Sequence, residues 1–383
     1  MKSEDRTLLA LLPEALFPDA APERRAPDER VTEAVIREAV AQTVATLLPL
    51  QSDERYLYLT ANDLRIAWEH RQLHELLTSR HIPYTIIKGV ASAAYYPDPA
   101  LRTMGDVDFI VRSEDVRRAA ELLQSVGFVR DDGENEHHFH FRRDKSVWEL
   151  HWRPPGLPEE NARLEECMAS VIDDARESDG VMVPSHFHHG LILLLHTAEH
   201  MINTGVGLRH LCDWAVFYSR FSDAAFREMF EEPLKYVGLW RFARLLTLVS
   251  VRYLRSPARA WAGEALEELL ESIMDDVMRS GDFGAKDSER INQAKLMTNG
   301  AERTVSGDPL HNLAATFADK ASLAWPICGR VKVLLPVGMA YVGMRHIVRV
   351  ARGERPAIHV KSMLAGAEQR RKVYEEFQLF KQE

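Results

Sequence analysis

The run Gly105-Asp106-Val107-Asp108-Phe109-Ile110-Val111 constrains this chain more tightly than any other. Its alternating start and β-rich end predict a strand, in which side chains i and i+2 share a face. Asp106 and Asp108 then stand together, and two adjacent carboxylates repel unless a cation lies between them. A hard divalent ion such as Mg²⁺ is the usual remedy, and it takes carboxylate and phosphate oxygens. A third acid follows in Trp148-Glu149-Leu150-His151-Trp152. Alternation sets Glu149 and His151 on one face there, with Trp148, Leu150 and Trp152 on the other. That fits a neighbouring strand lining the same groove.

Upstream, Tyr84-Thr85-Ile86-Ile87-Lys88-Gly89 is a β-rich run ending in Gly, and the small apolar stretch Val90–Tyr96 opens a helix. Gly89 permits close backbone approach to a phosphate, and a helix N-terminus favours anions. Lys88 and Arg102 flank the site with positive charge. Strand, Lys-Gly, helix, Asp-x-Asp strand and a later strand Glu make the layout of metal-assisted nucleotidyl transfer. Metal ions held by three carboxylates can activate an attacking hydroxyl and stabilise a leaving pyrophosphate.

With these residues in view, the sequence resembles the polymerase-β-type nucleotidyltransferase superfamily. More narrowly it resembles the bacterial "uncharacterised nucleotidyltransferase" family with a helical C-terminal region. The resemblance rests on Lys88-Gly89, Tyr96-Pro97-Asp98-Pro99, Leu101-Arg102, Met104–Val111 and Trp148–Trp152. It extends to Leu194–Trp214 and covers roughly residues 60–220. It implies Asp106, Asp108 and Glu149 as metal ligands for one or two Mg²⁺, with Glu149 also the base for an acceptor hydroxyl. Lys88, Gly89, Ser92 and Arg102 would receive the triphosphate of an NTP. The superfamily's Gly-Gly or Gly-Ser is Gly89-Val90 here, with Ser92 three residues later. His151, His196, His200, Arg209 and Asp213 would line the acceptor or base pocket. The expected fold is an α/β (α+β) nucleotidyltransferase core with a mixed sheet, preceded by helices and followed by a mainly helical region. The acceptor is not named by the sequence.

The rest of the pattern divides the chain at 1–80, 81–155 and 156–383. The first 30 residues, with Pro13, Pro18, Pro22 and Pro27, read as an irregular lead-in. Helices are expected over 31–50 and 62–80, the second capped by Asn62 or Asp63 and burying Leu64, Trp68, Leu73, Leu76 and Leu77. Another runs from Ser113 as N-cap to Val126, with Gly127 after its end. His138–Arg142 and Ser146–Trp152 form a hairpin turning at Asp144-Lys145. Beyond Pro158 helices are expected over 184–201, 208–218, 234–254 and 260–278, and 282–308 reads as a loop.

Charge and cysteine usage narrow the function classes. The chain of 383 residues carries 48 Lys or Arg and 57 Asp or Glu, a net charge of −9. Bulk nucleic-acid binding is therefore not expected. Cys167, Cys212 and Cys328 are too sparse and widely spaced for a disulfide scaffold, and fit reduced thiols. The N-terminal residues do not read as a signal peptide, and no apolar run reaches membrane-spanning length. A cytoplasmic location is expected. Residues 324–383 carry 11 Lys or Arg against 5 Asp or Glu. The tail's Arg370-Arg371-Lys372 reads as a solvated face; with the apolar run Val333–Met344 it could instead touch an anionic membrane weakly.

Two other classes stay open. His196-Thr197-Ala198-Glu199-His200 matches the His-x-x-Glu-His pattern of a zinc hydrolase, in which two His share a helix face. It needs a third ligand, for which Glu228 and Glu231 are candidates. The other is a module that binds nucleotide without turnover. His137-His138-Phe139-His140 reads as an exposed hairpin edge, and His186-Phe187-His188-His189 as the approach to a long apolar helix.

Overall fold

The structure is a computed structural model that describes residues 1–18, 28–50, 54–131, 138–158, 161–287, 290–299, 304–305, 309–352 and 360–381. Three helices come first: α1 (Ser3–Leu16), α2 (Glu33–Ala41) and α3 (Glu54–Thr78). The expected irregular lead-in is thus corrected by α1, where Leu8, Leu11 and Leu12 recur at helical spacing and are buried. Pro13 lies inside that helix; Pro22 and Pro27 fall outside the described residues. α2 is capped by the Thr32 hydroxyl, which accepts the Val35 N–H, and it stops well short of residue 50.

α3 begins at Glu54, so Asn62 and Asp63 sit inside it instead of capping it. Their side chains grip the segment before the acidic strand. Asn62 Nδ2 donates to the Met104 carbonyl at 3.1 Å, and Asp63 Oδ1 accepts the Met104 N–H at 2.7 Å. Leu73 and Leu77 are buried as expected, whereas Leu64 and Trp68 are 65% and 53% exposed.

The sheet is built from β1 (Tyr84–Ile86), β2 (Val107–Val111), β3 (Val129–Arg130), β4 (His138–Arg143) and β5 (Ser146–His151). α4 (Val90–Ala93) follows β1, and α5 (Val116–Ser125) follows β2. Spatial order is β1-β2-β5-β4-β3, with β2 and β5 parallel and the other pairs antiparallel. The expected mixed sheet is present. A short 3₁₀ turn over Ser113–Asp115 precedes α5, so Asp115, not Ser113, holds the N-cap position. Gly127, at φ 90°, ends the helix as expected. Asp144, in the left-handed region, turns the β4–β5 hairpin.

One sheet face is apolar. Val107, Phe109, Val111, Phe141, Trp148 and Leu150 pack with Ile66, Leu73 and Leu77 of α3 and Ala119 and Leu123 of α5. Burying each large side chain there contributes about 1.5–3 kcal/mol. The buried Trp148 indole N–H donates to Glu69 Oε2 at 2.9 Å, which satisfies its polar end. The opposite face carries Asp108, Ile110, Glu149 and His151; Ile110 belongs to the core of the helical region.

That region comprises α6 (Ala162–Met168), the hairpin β6 (Arg176–Ser178) and β7 (Val181–Val183), α7 (His186–Ile202), α8 (Leu208–Ser219), α9 (Asp223–Tyr236), α10 (Trp240–Leu254) and α11 (Glu267–Ser280). α12 (Arg290–Met297), the pair β8 (Thr298–Asn299) and β9 (Thr304–Val305), α13 (Pro309–Ala324), α14 (Pro326–Arg330), α15 (Leu335–Ala351) and α16 (Val360–Glu375) follow. Four expectations change here, one being that the helix expected over 260–278 begins only at Glu267. The helix expected over 234–254 is two, separated at Gly238, whose φ is 70° and where a Cβ would lie 2.5 Å from the Lys381 backbone. The expected loop over 282–308 contains α12, anchored by the buried Arg290–Asp276 pair. In the basic tail Arg370 is buried and not solvated; its Nη2 donates to the Ile202 carbonyl at 2.7 Å and so satisfies the end of α7. No described helix is long and apolar enough to cross a membrane. Cys167, Cys212 and Cys328 are all free thiols.

Candidate active site

The site forms where the polar face of the sheet meets α7 and α8. A cavity of about 450 Å³ lies there. Lys88, Gly89, Asp106 and Asp108 line it from the sheet side, and His196, Arg209 and Asp213 from the helices. The strand pattern explains the first group. The Ile87 N–H bonds the Asp108 carbonyl at 3.1 Å, which extends the β1–β2 ladder to the residue before Lys88. Asp108 lies directly opposite Glu149 on the parallel neighbour β5. Alternation then puts His151 beside both.

Charges are tightly coupled on this face. Lys88 Nζ stands 2.9 Å from Asp108 Oδ1. His151 Nε2 lies 3.3 Å from the same oxygen and 3.4 Å from Glu149 Oε2. Burial alone would raise the Asp108 carboxyl, but Lys88 and His151 outweigh it and hold it well below the ordinary carboxylate range. Asp106 lacks such a partner. Burial, then repulsion from Asp108, pushes it up to about 7. Burial works against the Lys88 ammonium, yet Asp108, Asp106 and Glu149 lift it above its usual value. His151 is raised in the same way: hydrogen bonding to Asp108 and Glu149 overcomes its burial.

This donor set fits a hard divalent ion. Ligand atoms of Asp108, Glu149 and His151 all lie within 4.8 Å of one another, and Asp106 is a half-buried carboxylate whose repulsion from Asp108 a cation would relieve. A second group, His138, His140 and Glu149, also falls within 4.8 Å and shares Glu149 with the first. The expected exposed edge is therefore corrected: β4 lies between β5 and β3, His140 Nδ1 is 3.1 Å from Glu149 Oε1, and the His138 ring stacks on His151. His137 lies outside the described residues.

Gly89 has φ 57° and ψ −121°, a conformation that glycine alone adopts at low cost. A Cβ there would stand 2.6 Å from His70 Nε2. Ser92 does not line the cavity; it is buried, with its hydroxyl 3.5 Å from His189 Nε2. Arg102 reaches the cavity, but its guanidinium is spent on Asp213 through two hydrogen bonds of 2.8 Å. Tyr96 O–H donates to the same carboxylate at 2.7 Å. Arg102 and Asp213 thus act on each other more than on a ligand.

His196 and His200 share one face of α7, their Nε2 atoms 2.9 Å apart. Burial, then Lys88 for His196 and His210 for His200, pushes both well below the usual imidazole range, so the rings are neutral. Among the described residues no third donor completes a metal-binding group with them. Glu231 is tied to Arg227 and Lys235 on α9, and Glu228 stands exposed on that helix. Among the described residues, then, the zinc-hydrolase alternative has no third ligand. The His186–His189 run is the first turn of α7 itself, with His188 and His189 buried.

Sequence reasoning missed several wall residues, Asp282 and His210 among them. Asp282 lines the cavity with Phe283, and its Oδ2 lies 3.0 Å from Arg209 Nη2. His210 lines it beside Arg209, its ring stacked on His196 at 5.3 Å. The signal for Asp282 was faint: a lone acid between Gly281 and Phe283-Gly284. His210 was adjacent to a residue already singled out.

Comparison with known protein families matches residues 28–255 to one described as uncharacterised nucleotidyltransferase. The chain belongs to that family. The match covers the whole sheet, α7 and α8, and begins well before the stretch whose motifs carried the resemblance. Asp282 and Phe283 lie beyond it. No curated protein matches the chain. As a nucleotidyltransferase the protein is a transferase, and its family implies a nucleotide substrate.

Proposed function

We propose that this nucleotidyltransferase is Mg²⁺-dependent and moves the nucleotidyl group of an NTP onto a hydroxyl or phosphate oxygen. The observation that carries this reading is the register of Asp108 against Glu149 on parallel strands, with Lys88 at the Asp108 carboxylate and Asp106 on the same cavity wall. Asp106, Asp108 and Glu149 would hold the metal. Bound there, Mg²⁺ would offset triphosphate charge and favour the ionised form of the attacking oxygen.

The chain's own residues supply the rest. Lys88 and Arg209 bring positive charge to the cavity where a triphosphate would lie. His151 holds the Glu149 and Asp108 carboxylates in place from one nitrogen. Glu149 accepts the proton as the acceptor oxygen attacks the α-phosphorus. The new O–P bond forms as the bond from the α-phosphorus to the bridging oxygen breaks, and pyrophosphate leaves with that electron pair. Ile192, Leu193 and Phe283 give the far wall an apolar surface for a base or acceptor. The cavity volume is within the range of small-molecule sites.

Thermal stabilisation by each of the four NTPs, with and without Mg²⁺, tests the reading. A ligand that binds only the folded state raises its stability. A Mg²⁺-dependent shift that disappears in Asp106→Asn/Asp108→Asn is expected. No shift with any NTP sinks the proposal.

A further inference from the structure

From Trp325 to Arg352 the chain carries five cations, Arg330, Lys332, Arg345, Arg349 and Arg352, and no Asp or Glu. The same stretch leaves its apolar side chains bare. Val333 is 85% exposed, Met344 63% and Val337 57%, and Tyr341 and Val348 are exposed too. Val337, Tyr341, Met344 and Val348 recur every three or four residues, so they form one stripe along α15. At about 100° per residue, Arg345 and Arg352 fall along one flank of that stripe.

The inner face of α15 is packed. A Cβ on Gly338 would lie 2.9 Å from Cys328 Sγ and 3.0 Å from Ala321 Cβ, which leaves no room on that side. While α15 packs on α13 and α14, the stripe residues Val337, Met344 and Val348 stay exposed. Single exposed apolar residues are ordinary, but a contiguous stripe marks a docking surface. Trp325 stacks on Tyr341 with ring centroids 4.7 Å apart, an aromatic pair suited to a boundary between water and lipid.

Charge selects the occupant. Two copies paired through this face about a two-fold axis would set one acid-free basic stretch against another. A bilayer rich in anionic lipid matches both the apolar stripe and the flanking arginines. The remainder of the chain is net acidic, so such a surface would repel the body while drawing this face in. No described helix can cross the bilayer, so α15 would lie along it. We propose that residues 325–352 dock this protein on the surface of an anionic phospholipid bilayer, with the stripe of α15 at the boundary of headgroups and acyl chains.

Co-sedimentation of the full chain with vesicles of phosphatidylcholine, alone or with roughly one-third phosphatidylglycerol, tests this. Binding about 10-fold tighter to the anionic vesicles, and weakening as salt is raised, is expected. Val337→Asp/Met344→Asp should abolish it without moving the melting temperature, because both side chains are exposed. Arg345→Gln/Arg352→Gln should leave residual binding but reduce the anionic preference. Quenching by brominated lipid should diminish in Trp325→Phe. Failure of the wild-type chain to sediment with anionic vesicles overturns the proposal, as does unchanged sedimentation of the Asp variant. A dimer in light scattering that Val337→Asp splits, with vesicles ignored, would assign the face to a second copy instead.

Discussion

Arg102 and Asp213 meet across 111 residues of sequence through two parallel hydrogen bonds of 2.8 Å, with both side chains buried. Arg102 Nη1 also donates to the Gly89 carbonyl at 3.3 Å. The pair therefore ties the segment before the acidic strand, and the glycine turn beside it, to α8. Removing one partner leaves an uncompensated buried charge, so Asp213→Ala should cost about 3–5 kcal/mol in urea unfolding. Arg102→Lys should lose a large part of this too, because an ammonium cannot make the paired contact. Near wild-type stability in both variants would show the clamp to be unimportant.

The carboxylates are predicted to separate turnover from folding. Glu149→Gln should lower pyrophosphate release by roughly 10²–10⁴-fold if Glu149 takes the acceptor proton. Asp106→Asn should raise stability slightly at neutral pH, because it removes a repelled, half-buried carboxylate, while abolishing Mg²⁺-dependent nucleotide binding. Calorimetry of the variant with and without Mg²⁺ and NTP reads both effects at once.

His70 sets a pH dependence. Its Nδ1–H donates to the Ile66 carbonyl at 2.7 Å, and burial pushes the imidazole down from 6.5 to about 4. Between those values the unfolded chain binds a proton that the folded chain does not. Stability is therefore complete above pH 6.5 and falls as pH drops through that window, by on the order of 3 kcal/mol from this group. His189, pushed down to about 3 by burial, acts in the same direction. His70→Gln keeps an N–H for Ile66, so its acid unfolding should be shallower than wild type by His70's share. Parallel stability curves from pH 7 to 4 would refute this.

Gly89 and His70 should be coupled. Gly89→Ala adds a Cβ to a left-handed residue and drives it against the His70 ring. The backbone strain alone should cost about 1–3 kcal/mol. His70→Ala in the same chain removes the clash but not the strain, so a double-mutant cycle should return a favourable interaction energy of about 1 kcal/mol or more. Simple additivity would mean that the ring gives way freely.

The sheet was legible because its strands alternate. Around β2 and β5 acids and large apolar residues trade places every second position, and the structure sends them to opposite faces. Helix ends were less legible. Asn62 and Asp63 looked like caps because their side chains seek backbone N–H groups; they do find a backbone partner, but it is Met104, across a tertiary contact. The prolines concealed α1, whose leucines carry the packing. Arg102 looked like a free cation because nothing local reveals a partner as distant as Asp213. Asp282 follows no period at all, and only the folded chain brings it to Arg209.

The cavity walls come from widely separated stretches: Thr43 after α2, Lys88 and Asp108 in the sheet, and Asp282 with Phe283 after α11. During synthesis the acidic strand thus emerges before α7 and α8, and well before Asp282 and Phe283. A chain halted ahead of residue 282 would lack the Asp282 carboxylate that meets Arg209 and the Phe283 ring beside it on the cavity wall. The cavity lining is in this sense complete only after more than two-thirds of the polypeptide has been made.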